Sequence, residues 1–374
     1  MTEYRYVSAD HHLDLLWTPP DLWQRLVPQR YREAAPKVVR TEQGPRWTWE
    51  GRLWGPSAEG DAATSGFLET ALTAVADDLP AGALPPSDPR YLLDHMDLAH
   101  VFACTIYGPT RKMRFSDPDL ALVCNDAWNA FMLELSSAAP ERIIGLPNLP
   151  TWDVDATLRS AKETIDAGAR GFEFSVFTAA EPVWSPAWEP LWSLAEEAGV
   201  PIGFHIGAAA GEPYPPVENG RYPAHFCASP FVTQRAMAEI VFCGALDRHP
   251  SLKLVFAECR IGWLAFFIEH MDRQQRERRT DVPLQLKPSE YWQRQMAGTF
   301  EDDRIGGELL KFDWSHLQHV VMWGSDYPHN PVAWPDTDGL MAWLLDGVPE
   351  DVSRSARYGR ACEFYGITMP TGTL

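Results

Sequence analysis

The sequence predicts an α/β fold: a (β/α)8 TIM barrel with an irregular insertion after its first strand. Three observations carry this. Eight apolar runs of strand length alternate with helical stretches along the 374 residues. Carboxylates and imidazoles recur at the carboxyl ends of those runs, where barrels of this class carry their chemistry. The chain is 45% apolar, enough for one large core, and α/β barrels of this length fold as one domain. We therefore expect a single domain over 1–374.

The first run, Tyr4 to Asp10, leads into Asp10-His11-His12. Alternate residues of a strand share a face, so Asp10 and His12 point one way and His11 the other. Residues 14–86 are rich in Pro, Gly, Trp and charge, and read as an insertion or lid over the catalytic face. Within them, Pro19-Pro20-Asp21-Leu22-Trp23 predicts a helix start with proline in its first turn, and Arg46-Trp47-Thr48-Trp49 a small hairpin. Trp17, Trp23, Trp47, Trp49 and Trp54 either line an apolar wall or pack a loop-rich segment. Trp17, Trp47 and Trp54 are the candidate substrate contacts among them.

The later runs are 101–107, 143–147, 171–176, 201–207, 252–258, 295–300 and 319–326. Helical stretches separate them, and one ends at Gly199, a suitable C-cap. An open doubly wound sheet is the alternative if either of the runs near 143 and 296 is not a strand.

The net charge of −19, from 32 basic and 51 acidic residues, argues against a nucleic-acid partner. No apolar run reaches the length of a membrane span, and the N-terminus lacks a signal pattern. Cys104, Cys124, Cys227, Cys243, Cys259 and Cys362 show no CxxC spacing, which fits reduced thiols and a cytoplasmic protein. A homo-oligomer is compatible with this composition. Phosphate-loop, serine-elbow and cysteine-nucleophile motifs are lacking.

The strand ends supply Asp10, His12, Glu173, His205, Glu258 and Asp326, with His329 just beyond the last. Together they point to a metal site built from oxygen and nitrogen ligands. Glu301, Asp302 and Asp303 follow the seventh run and read as caps of the next turn. His225 reads as exposed, with a second metal as its alternative. His95, His100, His249, His270, His316 and His319 read as structural.

Asp10-His11-His12, Gly203-Phe204-His205, His249-Pro250-Ser251-Leu252-Lys253 before Ala257-Glu258, and Trp323-Gly324-Ser325-Asp326-Tyr327-Pro328-His329 carry a resemblance. In that order they resemble the amidohydrolase-related barrels typified by aminocarboxymuconate-semialdehyde decarboxylase, over nearly the whole chain. The resemblance implies a metal-dependent TIM barrel. This chain departs from it twice: Asp10-x-His12 stands where those decarboxylases start with HxH, and Glu258 where they place a histidine. Both changes replace nitrogen by carboxylate oxygen, which suits iron or manganese better than a lone zinc.

With His12-Leu13-Asp14-Leu15, Pro19-Pro20-Asp21-Leu22-Trp23 and Gly262-Trp263, these departures are similar to the branch of the nonheme diiron monooxygenase of platensimycin and platencin diterpenoid biosynthesis. That resemblance implies two Fe ions, dioxygen, an electron donor and an apolar, CoA-linked substrate hydroxylated at an unactivated carbon. One ion would take Asp10, His12, His205 and Asp326. The second would take Glu258 and His329, with Glu258 able to bridge and Glu173 able to serve either. Glu258 and Asp326 are then the candidate catalytic groups. The alternative is a decarboxylase or hydrolase of a small carboxylic acid with a single Zn or Mn, in which Asp326 carries a proton. Arg260 either binds an anion near the site or pairs with a neighbouring carboxylate. Arg46, Arg52, Arg111, Lys112 and Arg114 are candidate contacts to an acyl-CoA.

Overall fold

The computed structural model describes residues 3–42, 44–57, 83–109, 113–207, 218–278, 281–329 and 333–370. Arg111 and Lys112 lie outside the described residues, as does 58–82 of the insertion.

The first strand, β1 (Tyr6–His12), is followed by a meander of β2 (Lys37–Thr41), β3 (Gly44–Trp49) and β4 (Arg52–Pro56). The rest are β5 (Val101–Tyr107), β6 (Ile143–Gly145), β7 (Phe172–Glu173), β8 (Ile202–His205), β9 (Leu254–Ala257), β10 (Met296–Phe300) and β11 (Val321–Trp323). Each expected run contributes a strand, including those near 143 and 296. Parallel pairing joins β1, β5 and β6 in one arc and β7 through β11 in another. Isolated parallel bridges, Asn148 with Glu173 and His11 with Tyr327, connect the arcs at both seams. The eight strands thus follow one another around a ring in chain order, as a (β/α)8 barrel requires.

β7 is shorter than its apolar run because its pairing continues outside the regular ladder. Glu173 N–H donates to the Pro147 carbonyl at 2.9 Å and Phe174 N–H to the Gly203 carbonyl at 2.8 Å. The barrel strands are buried along their whole described length, so they read as continuous apolar runs rather than alternating ones. Helices between strands start on aspartates whose side chains accept backbone N–H groups, as at Asp88, Asp117 and Asp153. Gly199, at φ +68°, ends the helix Glu189–Ala198 as expected.

The early segment differs in detail from its sequence reading. Pro19 and Pro20 precede the short helix Leu22–Leu26 instead of occupying its first turn. The expected hairpin is a three-stranded antiparallel sheet with β3 at its centre. Its tryptophans pack inward. Trp47 is 0% exposed, and Trp17, Trp23, Trp47 and Trp49 share one apolar cluster with Cys124, Trp128 and Phe131 of the helix Pro118–Ser137. Their indole N–H groups find backbone carbonyls: Trp23 on Cys124 at 3.1 Å, Trp47 on Leu15 at 2.7 Å and Trp49 on Arg114 at 2.9 Å. Trp54 stacks on Trp49 with centroids 4.3 Å apart.

The seam between first and last strands is tight. Asp326 N–H donates to the Asp10 carbonyl at 2.9 Å, and His12 N–H to the Tyr327 carbonyl at 2.7 Å. Gly324 abuts Asp10 so closely that a Cβ there would collide with the Asp10 Cβ and lie 3.3 Å from its backbone nitrogen. Overpacking of this kind costs about 1–3 kcal/mol. Gly324→Ala is therefore expected to lower the thermal midpoint by several degrees in a calorimetric scan; an unchanged midpoint would show that the seam yields.

Candidate metal centre

The carboxyl ends of β1, β8, β9 and β11 bring five side chains together. His12 Nε2 lies 3.2 Å from Asp10 Oδ1 and 3.0 Å from Asp326 Oδ1. His205 Nε2 lies 3.6 Å from Asp10 Oδ1 and 3.3 Å from Glu258 Oε2. Asp10 Oδ1, His12 Nε2 and His205 Nε2 are buried and have no hydrogen-bond partner of acceptable geometry. They approach one another without bonding to one another, as lone pairs do when they share a target. Ligands about 2.0–2.2 Å from one cation sit about 3.0–3.5 Å apart, the spacing seen here.

Surrounding groups fix the donors. His205 Nδ1 donates to the Ile206 carbonyl, which leaves Nε2 with its lone pair facing the cluster. Thr299 Oγ1 donates to Asp10 Oδ2 at 3.2 Å and accepts Glu258 N–H at 2.7 Å. Glu258, Arg260 and Asp326 have left-handed backbones, with φ of +54°, +59° and +56°. Such non-glycine positions cost about 1–2 kcal/mol each and cluster at functional sites.

The electrostatics are those of a site that wants a cation. Burial pushes the Asp10 carboxyl up, but the His12 and His205 imidazoles outweigh it and bring it down to about 2. For Asp326, burial is outweighed by His329 and His12, and its carboxyl is held low. Burial and the His329 charge push His12 down, but Asp10 and Asp326 raise it to about 10. Glu258 goes the other way: burial first, then the Asp326 charge, raise it to about 7. The carboxylates demand positive charge, which protonated imidazoles or a divalent cation can meet. Asp10, His12 and His205 form one group able to hold an ion, and His12, Asp326 and His329 an overlapping one.

The remaining predicted residues lie apart from this ring or are otherwise engaged. His329 stacks on His12 with centroids 4.1 Å apart, its Nδ1 2.8 Å from Asp326 Oδ1 and its Nε2 2.8 Å from Asp14 Oδ2. With carboxylates on both nitrogens it sits as a proton-holding imidazolium: burial lowers it, but Asp326 and Asp14 raise it well above its usual value. The expected second ion thus receives no support, since Glu258 closes on His205 and His329 is held by two carboxylates. Glu173 is buried outside the ring, and its Oε2 accepts Gly108 N–H at 3.2 Å. Arg260 pairs with Asp302 and, at 3.0 Å, with Glu301, the second of its two expected roles. Trp17 and Trp47 are packed in the core and Trp54 against Trp49. His11 faces away from the ring and its ring centroid lies 5.3 Å from that of Tyr327.

Two neighbours were not legible in the sequence. Asp14 stands in the motif His12-Leu13-Asp14-Leu15, but its sequence context assigns it no role. Glu301 was grouped with the caps, yet only Asp303 caps, accepting from Gly306, Ile261 and Gly262 N–H groups. Glu301 is buried, and burial drives its carboxyl well above the usual range despite Arg260.

A ring of eight parallel strands with carboxylates and imidazoles gathered at its carboxyl-end mouth defines a barrel enzyme with a candidate metal centre. The chain belongs to the amidohydrolase family, whose sequence pattern it matches over residues 111–367. No curated protein matches it. Among solved structures it is similar to an amidohydrolase from Mycobacterium avium subsp. paratuberculosis K-10, with TM-score 0.72, 16% identity and coverage of 98% of this chain and 99% of that one. It is also similar to 5-carboxyvanillate decarboxylase from Sphingomonas paucimobilis, with TM-score 0.61, 21% identity and coverage of 74% and 82%. A third likeness is to dihydroxybenzoic acid decarboxylase from Polaromonas sp. JS666 with bound manganese and the inhibitor 2-nitroresorcinol, with TM-score 0.60, 14% identity and coverage of 97% of both chains. At these identities the likenesses show the fold alone. No helix among the described residues is long and apolar enough to cross a membrane.

Thr299 bonds the Asp10 carboxylate and the Glu258 backbone N–H, so its loss is expected to weaken divalent-ion binding about 10–100-fold. Titration calorimetry of Thr299→Val with Mn²⁺ reads this directly. Affinity equal to the unaltered protein would remove Thr299 from the site.

Proposed function

We propose that this amidohydrolase-family enzyme is a metal-dependent decarboxylase of a small carboxylic acid, with one divalent cation held by Asp10, His12, His205 and Asp326. The observation that carries this reading is the convergence of unpartnered, buried donor atoms from strands far apart in the chain. The decarboxylases among its structural likenesses, one of them with bound manganese, support the same reading over a diiron monooxygenase. A bound cation supplies Lewis acidity toward a substrate oxygen.

The chain's own residues do the rest. Asp10, His12, His205 and Asp326 offer a donor set preorganised by Thr299 and the Ile206 carbonyl. Glu258, beside His205 and raised to about 7, holds a proton near neutrality, as a general acid must. The carbon–carbon bond to the carboxylate breaks, its electron pair stays on the ring or chain carbon, and the Glu258 proton adds there. Carbon dioxide departs, and the Glu258 carboxylate regains a proton from water. In this reading Glu258 carries the proton and Asp326 serves the cation. His329, fixed between Asp14 and Asp326, keeps Asp326 aimed at the cluster.

One observation favours a second reading: the donor set is rich in carboxylates, with Asp10, Glu258 and Asp326 together, which suits iron-dependent hydroxylation. One experiment separates the two. Protein loaded with Mn²⁺ is incubated without oxygen with a panel of small hydroxybenzoic acids, and carbon dioxide is measured. Release that stops on chelation and returns with Mn²⁺ is expected, and Glu258→Gln should lower kcat by about 100-fold or more. Product formed only with dioxygen uptake, in protein holding two irons per chain, would sink the decarboxylase and establish the oxygenase.

A further inference from the structure

The loops after β5, β6 and β7 enclose a cleft beside the donor cluster, lined by Phe115, Trp128, Trp152, Asn148, Glu173 and Ser175 among others. It adjoins the cluster through two links. Glu173 pairs with Gly203, two residues before His205. Gly108, whose N–H bonds Glu173, follows Tyr107, whose ring centroid is 4.9 Å from that of His205.

Two of the cleft's polar atoms lack a partner among the described residues. Ser175 is 6% exposed, and neither its Oγ nor Asn148 Oδ1 has a hydrogen-bond partner among the described residues. Buried polar atoms are rarely left so without a ligand or water to complete them. Asn148 is pinned through its backbone: its N–H donates to Asn129 Oδ1 at 2.8 Å, and its carbonyl accepts from Asn125 and Asn129 at 3.0 Å each. Gly108 makes room for its amide, since a Cβ there would come within 2.6 Å of Asn148 Nδ2.

We infer that this cleft is a specificity subsite for the end of the substrate remote from its reacting carboxylate, and that it takes a flat, uncharged apolar group carrying a hydroxyl. The inference rests on the decarboxylase reading for which end of the substrate reacts. Flatness follows from the indoles of Trp128 and Trp152. The hydroxyl follows from the polar atoms: one O–H donates to Asn148 Oδ1 or the Glu173 carboxylate and accepts from Ser175 Oγ–H. A charged group finds no Lys or Arg to pair with among the cleft's described lining residues. The subsite therefore selects acids longer than their reacting half.

The test uses Mn²⁺-loaded protein with 4-methylphenol and toluene as probes, by saturation-transfer NMR and titration calorimetry. The phenol is expected to bind more tightly than toluene. Ser175→Ala should weaken the phenol about tenfold and leave toluene unchanged. Trp152→Ala, at a position 37% exposed, should weaken both. Mn²⁺ affinity equal to the unaltered protein confirms that each variant is folded around an intact centre. Phenol binding no tighter than toluene, or unmoved by both substitutions, overturns the subsite. Intact phenol selectivity in a protein that releases no carbon dioxide sinks the decarboxylase reading and leaves the subsite standing.

Discussion

Buried carboxylates must be matched by positive charge, and the mouth of this barrel is arranged around that demand. Asp10 and Asp326 are held as anions where water cannot solvate them fully, and His12 lies between them at 3.2 and 3.0 Å. In a low-dielectric setting such charges are unfavourable singly and acceptable only as a matched set. Outside the ring the same demand is met by other means. His329 is clamped by Asp14 and Asp326, and Arg260 by Glu301 and Asp302.

The scaffold accepts local strain to hold that set. Glu258 and Asp326 sit in left-handed conformations just past the ends of β9 and β11, where the chain turns out of the barrel. The turn points their carboxylates across the mouth instead of along the strand. Thr299 on β10 ties the two sides together, bonding Asp10 from one direction and Glu258 from the other. A hydroxyl at this position does work that an apolar β-branched residue of the same shape would not.

The barrel was legible because each buried strand is a continuous apolar run, and because a polar residue at a strand's end is conspicuous after such a run. Asp10, His12, His205, Glu258 and Asp326 were found that way. Residues whose placement depends on loops were not. Asp14 reaches His329 across 315 positions of chain, and nothing local to it foretells the contact. Glu301 sits in a run of acids, one of which, Asp303, truly caps a helix. The tryptophans mislead for a related reason. Composition shows that indoles are present, but whether an indole packs or lines a cavity is decided by tertiary placement. Those of Trp23, Trp47 and Trp49 find main-chain carbonyls in the interior, while the aromatic cleft is built from Trp128 and Trp152. The second ion rested on the resemblance and on ligands placed at strand ends, neither of which shows that Asp14 holds His329.

The closure of the ring by single bridges at its two seams has a consequence for how the protein comes into being. His11 meets Tyr327 and Asp10 meets Asp326 only when the first and last strands join. The contacts that complete the centre are thus among the longest in sequence, and bringing such distant segments together carries the largest loop-closure entropy. During synthesis, β1 waits with its carboxylate and imidazole until nearly the whole chain has emerged. A cation that arrives early meets only a fragment of its ligand set, whereas one that arrives after closure also locks the seam and stabilises the whole barrel. On the proposed reading the full ligand set exists only in the closed barrel, so ion binding favours the folded state.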